Sequence, residues 1–416
     1  MAEQTASKVP QIRFKGFDGE WGQKKLGEVA DVYDGTHQTP NYTKQGVMFL
    51  SVENIRSLKS NKFISEKAFK EDFKVSPQRG DVLMTRIGDI GTANVFESDE
   101  RVAYYVSLAL LKLKDLDPYF LKQCISSNSV VEDLWRRTLH IAFPKKINKN
   151  EIERVVISPP ILKFEQTKIG EYFRELDSLI GLHQRKHDKL VTLKKAMLQK
   201  MFPQPGATTP EIRFKGFSGD WVEKTILEDD FKVIDFRGRT PKKLGLDWSQ
   251  SGFLALSALN VKNGYIDFTV DAHFGNATLY DAWMKGCDLH KNQVLFTTEA
   301  PMGNVAQVPD DRKYILSQRT IAFEVNPKLL SEDFFAVLLR APFMHLKLSA
   351  LSSGGTAKGI SQKSLTTLTS FFPPDFLEQQ KIGTYFRTLD ELITQHATQL
   401  QKLQQIKSAC LERMFV

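Results

Sequence analysis

Two stretches of the chain place an apolar or semi-apolar residue at alternating steps of four and three. From Ile169 the stripe runs through Phe173, Leu176, Ile180, His183, His187 and Leu190 to Lys194, Met197 and Met201. From Ile382 it runs through Phe386, Leu389, Ile393, His396, Leu400 and Leu403 to Lys407, Cys410 and Met414. A 3.5-residue period held over this many turns is a coiled-coil seam. Pro159-Pro160 and Pro373-Pro374 stand just ahead, where a helix can begin. A helix from Leu162 to Met201 would be roughly 60 Å long. Two matching seams in one chain are most simply satisfied by each other. Antiparallel pairing about a pseudo-twofold axis lets each half place its globular part at an opposite end. The polar positions His183, His396, Lys194 and Lys407 either penalise slipped registers or lie at the solvent edge of the seam.

Between these helices the period changes to short apolar runs separated by polar loops. Val47–Val52 and Phe253–Ala258 read as corresponding strands, as do Gly80–Arg86 and Asn292–Thr298, each of the latter followed by a glycine turn. Val106–Leu111 and Arg319–Phe323 form a third pair. The expected class is α+β.

The correspondence extends to sequence identity. Pro10-Gln-Ile-Arg-Phe-Lys-Gly-Phe-Asp-Gly-Glu-Trp21 returns as Pro210-Glu-Ile-Arg-Phe-Lys-Gly-Phe-Ser-Gly-Asp-Trp221. Lys168-Ile-Gly-Glu-Tyr-Phe-Arg-Glu-Leu-Asp-Ser-Leu-Ile180 returns as Lys381-Ile-Gly-Thr-Tyr-Phe-Arg-Thr-Leu-Asp-Glu-Leu-Ile393, and Met201-Phe202 as Met414-Phe415. Each half is a constant head, a variable middle and a constant tail, so a whole domain with its helix is duplicated. The expected boundaries are a first globular domain over 1–160, its helix over 161–202, and a Pro/Gly linker over 203–209. The second domain spans 210–374 and its helix 375–416. The 416 residues are thus two copies of one plan.

Composition narrows the classes. Fifty-seven Lys and Arg against 49 Asp and Glu leave a net charge of +8, which favours a polyanionic partner without specifying one. Three widely spaced cysteines argue against a disulfide scaffold or zinc ribbon. With neither a signal-like apolar segment nor a membrane-length run, a cytoplasmic protein is expected. Catalytic signatures fail in turn. Ser158-Pro-Pro-Ile161 and Phe372-Pro-Pro-Asp375 lack the aromatic residue that an amino-methyltransferase loop stacks on a flipped base. His183 and His187 have helical metal-ligand spacing but lie on the seam, and no phosphate-binding Gly-x-x-x-x-Gly-Lys-Ser/Thr loop occurs. The expectation is a non-enzyme with no catalytic or metal residues.

Binding chemistry is better represented. Asp34–Lys44 is a polar loop offering His37, Gln38, Thr39, Asn41, Tyr42 and Lys44. Its counterpart Asp235–Lys243 carries Arg237, Arg239, Thr240, Lys242 and Lys243. Arg86 ends the central strand, Lys145 and Lys146 close the segment Thr138–Lys146, and Lys358 closes the glycine-containing Ser352–Lys358. Arginine forks suit guanine, Asn and Gln suit adenine, and lysine suits phosphate. Each loop alone could be a solvated surface; basic loops at corresponding places in both halves point to nucleic acid. The cations Arg185, Lys186, Lys189, Lys194, Lys195 and Lys200 make the end of the first helix either a solvated face or a contact with DNA or an acidic partner.

These motifs resemble the specificity subunit of type I restriction–modification systems. The likeness covers the whole chain, through the Arg-Phe-Lys-Gly-Phe…Trp heads, the Gly80–Thr85 strand and the Lys-Ile-Gly…Phe…Leu-Asp…Ile tails; Asn292-Gln293-Val294 departs from Gly80-Asp81-Val82. The resemblance implies two α+β target recognition domains separated by an antiparallel helix pair. Each domain would read half of a bipartite, asymmetric double-stranded DNA site, and the helices would fix the unread gap. Modification subunits, two in number, would supply adenine-N6 methylation with S-adenosylmethionine, and restriction subunits would add ATP- and Mg-dependent translocation and cleavage, with no cofactor in this chain and no membrane partner. A stand-alone nucleic-acid adaptor, an anti-restriction decoy and a purely structural coiled-coil protein are the alternatives.

Overall fold

The computed structural model describes residues 8–227, 231–352 and 359–416. The chain divides into two compact units, one of residues 1–184 with 398–416 and one of residues 185–397. Each long helix, Lys163–Lys200 and Phe376–Arg413, therefore contributes its first part to one unit and its last part to the other.

In the first unit a four-stranded antiparallel sheet runs Ala30–Asp34, Leu108–Leu113, Val82–Thr85, Ala93–Val95. Its central strands are apolar on both faces because both faces are covered. Val82, Met84, Ala109 and Leu111 enter one core, while Leu83, Leu108 and Leu110 enter another. The second core fills the space to a sheet ordered Tyr42–Thr43, Phe63–Ile64, Val47–Leu50, Val102–Tyr104, whose last pair is parallel. In the second unit the antiparallel sheet runs Lys232–Asp235, Thr320–Glu324, Val294–Thr297, Val305–Gln307. Val294, Phe296, Ile321 and Phe323 face one core; Leu295 and Ala322 face the other. Phe253–Leu256 pairs in parallel with Ile315–Leu316, as Val47–Leu50 does with Val102–Tyr104. All three pairs of expected strands form, the first two with shorter bounds and the third shifted one or two residues toward the C-terminus.

The repeated motifs build the same junction twice. Arg13 makes a two-pronged ion pair with the buried Glu165 at 2.7 and 2.8 Å, and Arg213 with the buried Glu378 at the same distances. Each forked pair fastens a head to the first turn of a long helix. One turn on, a Cβ at Gly170 would lie 2.8 Å from the Phe120 nitrogen, and one at Gly383 2.7 Å from that of Phe334. Only glycine lets the long helix approach the helices Pro118–Ile125 and Glu332–Arg340 so closely.

The expected seam positions fall into three groups by their surroundings. Ile169, Phe173 and Leu176, like Ile382, Phe386 and Leu389, are buried in the unit where their helix begins. Ile180, Leu190, Ile393, Leu400 and Leu403 are half-buried. The closing pairs belong to the other unit's core: Met201 and Phe202 pack with Trp221 and Phe334, and Met414 and Phe415 with Trp21, Phe120 and Phe173. In the first unit Tyr172 meets Cys410 and Asp177 meets Lys407, so the helix segments there run antiparallel. Lys194 and Lys407 are not bare seam breakers. Lys407 and Lys122 hold Asp177 at 2.6 and 3.0 Å, and Lys194 and Arg340 hold Asp390 in the same manner.

No single described helix is long and apolar enough to cross a membrane. The bent pair Glu332–Arg340 and Pro342–Leu351 approaches that length, but its Phe334, Phe335, Leu338 and Leu348 are core residues of the second unit.

Candidate nucleic-acid interface

The loops that follow the first and central strands of each antiparallel sheet meet at one rim. In the first unit the Thr36 N–H donates to the Tyr104 carbonyl at 3.2 Å, and the Val106 N–H donates to the Thr36 carbonyl at 2.9 Å. The Tyr105 N–H reaches Leu50, the Arg86 N–H reaches Ser107, and the Gly88 N–H reaches the Lys145 carbonyl at 2.8 Å. Loops separated by more than a hundred residues are thereby fixed side by side, so the side chains they present share a surface.

Arg86 organises this rim from beneath. It is buried, its Nη1 pairs with the Asp34 carboxylate, and its Nε donates to the Ile147 carbonyl at 3.1 Å. The Ile147 N–H returns to the Arg86 carbonyl at 3.0 Å. The expectation that Arg86 contacts DNA is corrected on this ground: its guanidinium is consumed in joining three loops and does not face solvent. Burial, with Asp34 nearby, also pushes the Tyr104 phenol up, and its hydroxyl donates to the Asp34 carbonyl at 3.2 Å.

The second unit contains the same clasp with its arginine in another place. Asp235 corresponds to Asp34 and Ile360 to Ile147, but Thr298 stands where Arg86 would be. Arg237 supplies the guanidinium instead. Its Nε donates to Asp235 at 2.7 Å and its Nη1 to the Ile360 carbonyl at 3.4 Å, while the Ile360 N–H donates to the Thr298 carbonyl at 3.0 Å. Arg239 is also turned inward, donating to the Trp283 carbonyl with its guanidinium 4.4 Å from the Phe236 ring. The cluster of four cations expected over Asp235–Lys243 is thus two structural arginines and two lysines. Thr240 caps the 3-10 turn Pro241–Leu244, Lys243 donates to the Gly238 carbonyl at 2.7 Å, and Lys242 is exposed.

Other expected residues do face outward. His37, Gln38, Thr39 and Asn41 are exposed in one loop, and Tyr42, in the short strand that follows, and Lys44 beyond it are exposed too, with Tyr42 held edge-on against Phe49 at 5.7 Å. Lys145 and Lys146 are exposed, and the Lys145 ammonium lies 4.2 Å from the Trp135 ring centroid. Lys358 lies outside the described residues, as does the glycine pair before it.

Several rim residues were not singled out from the sequence. In the second unit a cleft of about 400 Å³ is lined by Lys242, Trp248, His273, Gln318 and Arg319. The Trp248 and His273 rings are stacked at 5.1 Å, and Arg319 pairs with Glu299 at 2.9 Å. Ala300 and Arg319 both hold positive φ at this cleft, 52° and 67°, a strained geometry of the sort that clusters at binding sites. Arg319 was legible only as the start of a strand; its left-handed backbone has no signature in an arginine codon. An aromatic platform, amide and guanidinium donors and a free ammonium together suit base edges and phosphates.

The model of the type I restriction modification DNA specificity domain matches twice, over residues 18–192 and 220–405. A type I restriction enzyme specificity subunit (MjaX) of Methanocaldococcus jannaschii is 23% identical over 411 residues, covering 93% of this chain and 91% of that protein. The crystal structure of a type I restriction–modification system S subunit from M. genitalium superposes with a TM-score of 0.62 at 14% identity, covering 98% of this chain and 99% of that one, a likeness of fold. With both halves matched, the chain belongs to the type I restriction–modification specificity subunit family, whose members are non-catalytic.

Proposed function

We propose that each unit reads one half of an asymmetric, bipartite double-stranded DNA site through its rim loops, and that the long helices set the number of unread base pairs between the halves. One observation carries this reading: the same two-sheet scaffold and the same arginine clasp present different exposed side chains in the two units. His37, Gln38, Asn41 and Tyr42 stand out in the first; Lys242, Gln318 and Arg319 line the second. Different readers on one scaffold imply different half-sites, because hydrogen-bond patterns at base edges are read side chain by side chain. In this reading the protein works in the cytoplasm. Two modification subunits bring S-adenosylmethionine for adenine-N6 methylation, and restriction subunits bring ATP and Mg for translocation and cleavage. This chain's own residues bind and orient the DNA for them.

Long-read methylation mapping of a host with and without this chain, co-expressed with its modification subunits, tests the assignment. A single bipartite motif dependent on the chain is expected; methylation unchanged by its removal overturns the reading. Inserting seven residues after Gln184 and seven after Ala397 keeps the seam in phase and lengthens the helices by about 10 Å, or roughly three base pairs. Both half-sites should persist with a longer gap, and an unchanged gap would refute the ruler.

A further inference from the structure

Ile141 and Phe143 are the most exposed large apolar residues described in the chain, at 99% and 102% of full exposure. They do not sit on a loose tail. The loop closes on itself where the Leu139 N–H donates to the Lys146 carbonyl at 2.8 Å, and it is pinned to the rim through Gly88 and Arg86. At its base the Trp135 indole is packed by the His140 ring at 4.6 Å and covered by the Lys145 ammonium. The two apolar side chains are thus held out from a braced stem whose base is joined through Arg86 to Asp34, where the loop toward His37 begins.

Their surroundings select the partner. Between Arg136 and Lys149 the sequence has five cations and no acid. Arg137 and Lys149 are committed to Asp133, Glu151 and Glu153, whereas Arg136, Lys145 and Lys146 are exposed. An apolar tip flanked in sequence by exposed cations suits a polyanion that has an apolar interior reachable from its surface, which describes stacked base pairs between phosphates.

We propose that Ile141 and Phe143 form a wedge that enters the base stack at the half-site read by the first unit, unstacking one step, while Arg136, Lys145 and Lys146 hold the flanking phosphates. The proposal rests on the DNA-reading assignment and adds a distortion to it. The free chain leaves these side chains in water because the surface they would bury against arrives with the DNA. Insertion recovers that burial and offsets the cost of unstacking.

The experiment uses the full chain co-purified with its modification subunits, on duplexes carrying the mapped site. 2-Aminopurine is placed in turn at each position in and beside the first half-site. Away from the adenine that the modification subunits flip, the expected result is a several-fold fluorescence rise at one step with the wild type. Ile141→Ser/Phe143→Ser should abolish that rise and weaken binding by about tenfold, with an unchanged melting temperature because neither side chain packs within the protein. Specific binding with no fluorescence rise at any position overturns the wedge and leaves the DNA-reading assignment standing. A double variant that keeps wild-type fluorescence, or that loses its modification subunits while DNA binding by the isolated chain is unchanged, also overturns it; the latter would assign the tip to a protein contact. Failure of the wild-type complex to prefer its mapped site removes both readings together.

Discussion

The two units solve one problem with the arginine in two different places. Each must tie the loop after its first strand, the end of its central strand and the segment leading to its long helix into a single rim. In the first unit the guanidinium comes up from the central strand as Arg86, and Thr36 occupies the loop. In the second, Arg237 reaches down from the loop, and Thr298 ends the strand. The partners, an aspartate carboxylate and an isoleucine carbonyl, are the same. What the duplicated scaffold retains is a charge at a point in space, approached from whichever loop can spare it. The consequence is functional: a loop that must supply its own clasp has fewer groups left to read DNA. Arg237, Lys242 and Lys243 are all exposed, but Arg237 is held on Asp235 and Lys243 on the Gly238 carbonyl, which leaves Lys242 for that role, and the cleft recruits Trp248, Gln318 and Arg319 from elsewhere.

The largest effects should come from the helix ends, and they should fall on the opposite unit. Phe202 closes the first tail but is fully buried among Trp221, Phe334 and Phe343; Phe415 closes the second but packs on Trp21, Phe120 and Phe173. Removing either ring leaves a core cavity costing about 3–5 kcal/mol. Phe202→Ala should therefore accelerate amide exchange in the strands Val294–Thr297 and Thr320–Glu324 while sparing Val82–Thr85, and Phe415→Ala should do the reverse. Loss of protection in the unit where each helix begins would break this division.

The clasps give the next largest effect and the sharpest contrast. Arg86→Ala strands a partly buried Asp34 and should cost about 3 kcal/mol. Arg237 is one-third exposed, so Arg237→Thr should cost only about 1 kcal/mol. Denaturant unfolding, with amide exchange to locate the change, would measure both. If the position in space is what matters, Thr298→Arg should restore most of the loss in the Arg237→Thr background. An additive or worsened loss in the double variant would show that the second unit's rim cannot accept an arginine from the strand.

Much of this architecture was legible because it repeats or has a period. The seam positions alternate four and three, and every one of them is at least half-buried. The three strand pairs were visible as apolar runs, and the structure explains their unbroken character by cores on both sheet faces. The exchange of helix ends was not legible, since Met201-Phe202 and Met414-Phe415 carry no mark of which unit they enter. The rim was only half legible. Charge counts in Asp235–Lys243 could not distinguish Arg237, which is turned onto Asp235, from Lys242, which is not. The apolar tip at Ile141 and Phe143 carries no mark of its exposure, since two alternating apolar residues read equally as a buried strand, although the second half has only Ser, Gly, Thr, Ala and Lys at 353–358.

The smallest effect concerns the carboxylates beneath the seam. Burial alone would push the Asp177 carboxyl up, but Lys122 and Lys407 together outweigh it and hold the group below the usual aspartate range. A carboxylate with a lowered folded-state value binds protons less readily folded than unfolded. Its contribution to stability is thus complete above the ordinary aspartate value near pH 4 and disappears as the pH falls through the lower, folded value. Asp177→Asn should remove that portion of the acid dependence, lowering stability at neutral pH by about 0.5–1 kcal/mol and leaving it nearly unchanged near pH 2. Lys407 belongs to the second helix, so the same substitution loosens the docking of residues 398–416 onto the first unit and should speed their amide exchange first. An Asp177→Asn protein whose stability falls equally at pH 7 and pH 2 would mean that the side chain acts through packing, and that the register of the two helix segments is set by Ile169, Phe173 and the closing Phe415 alone.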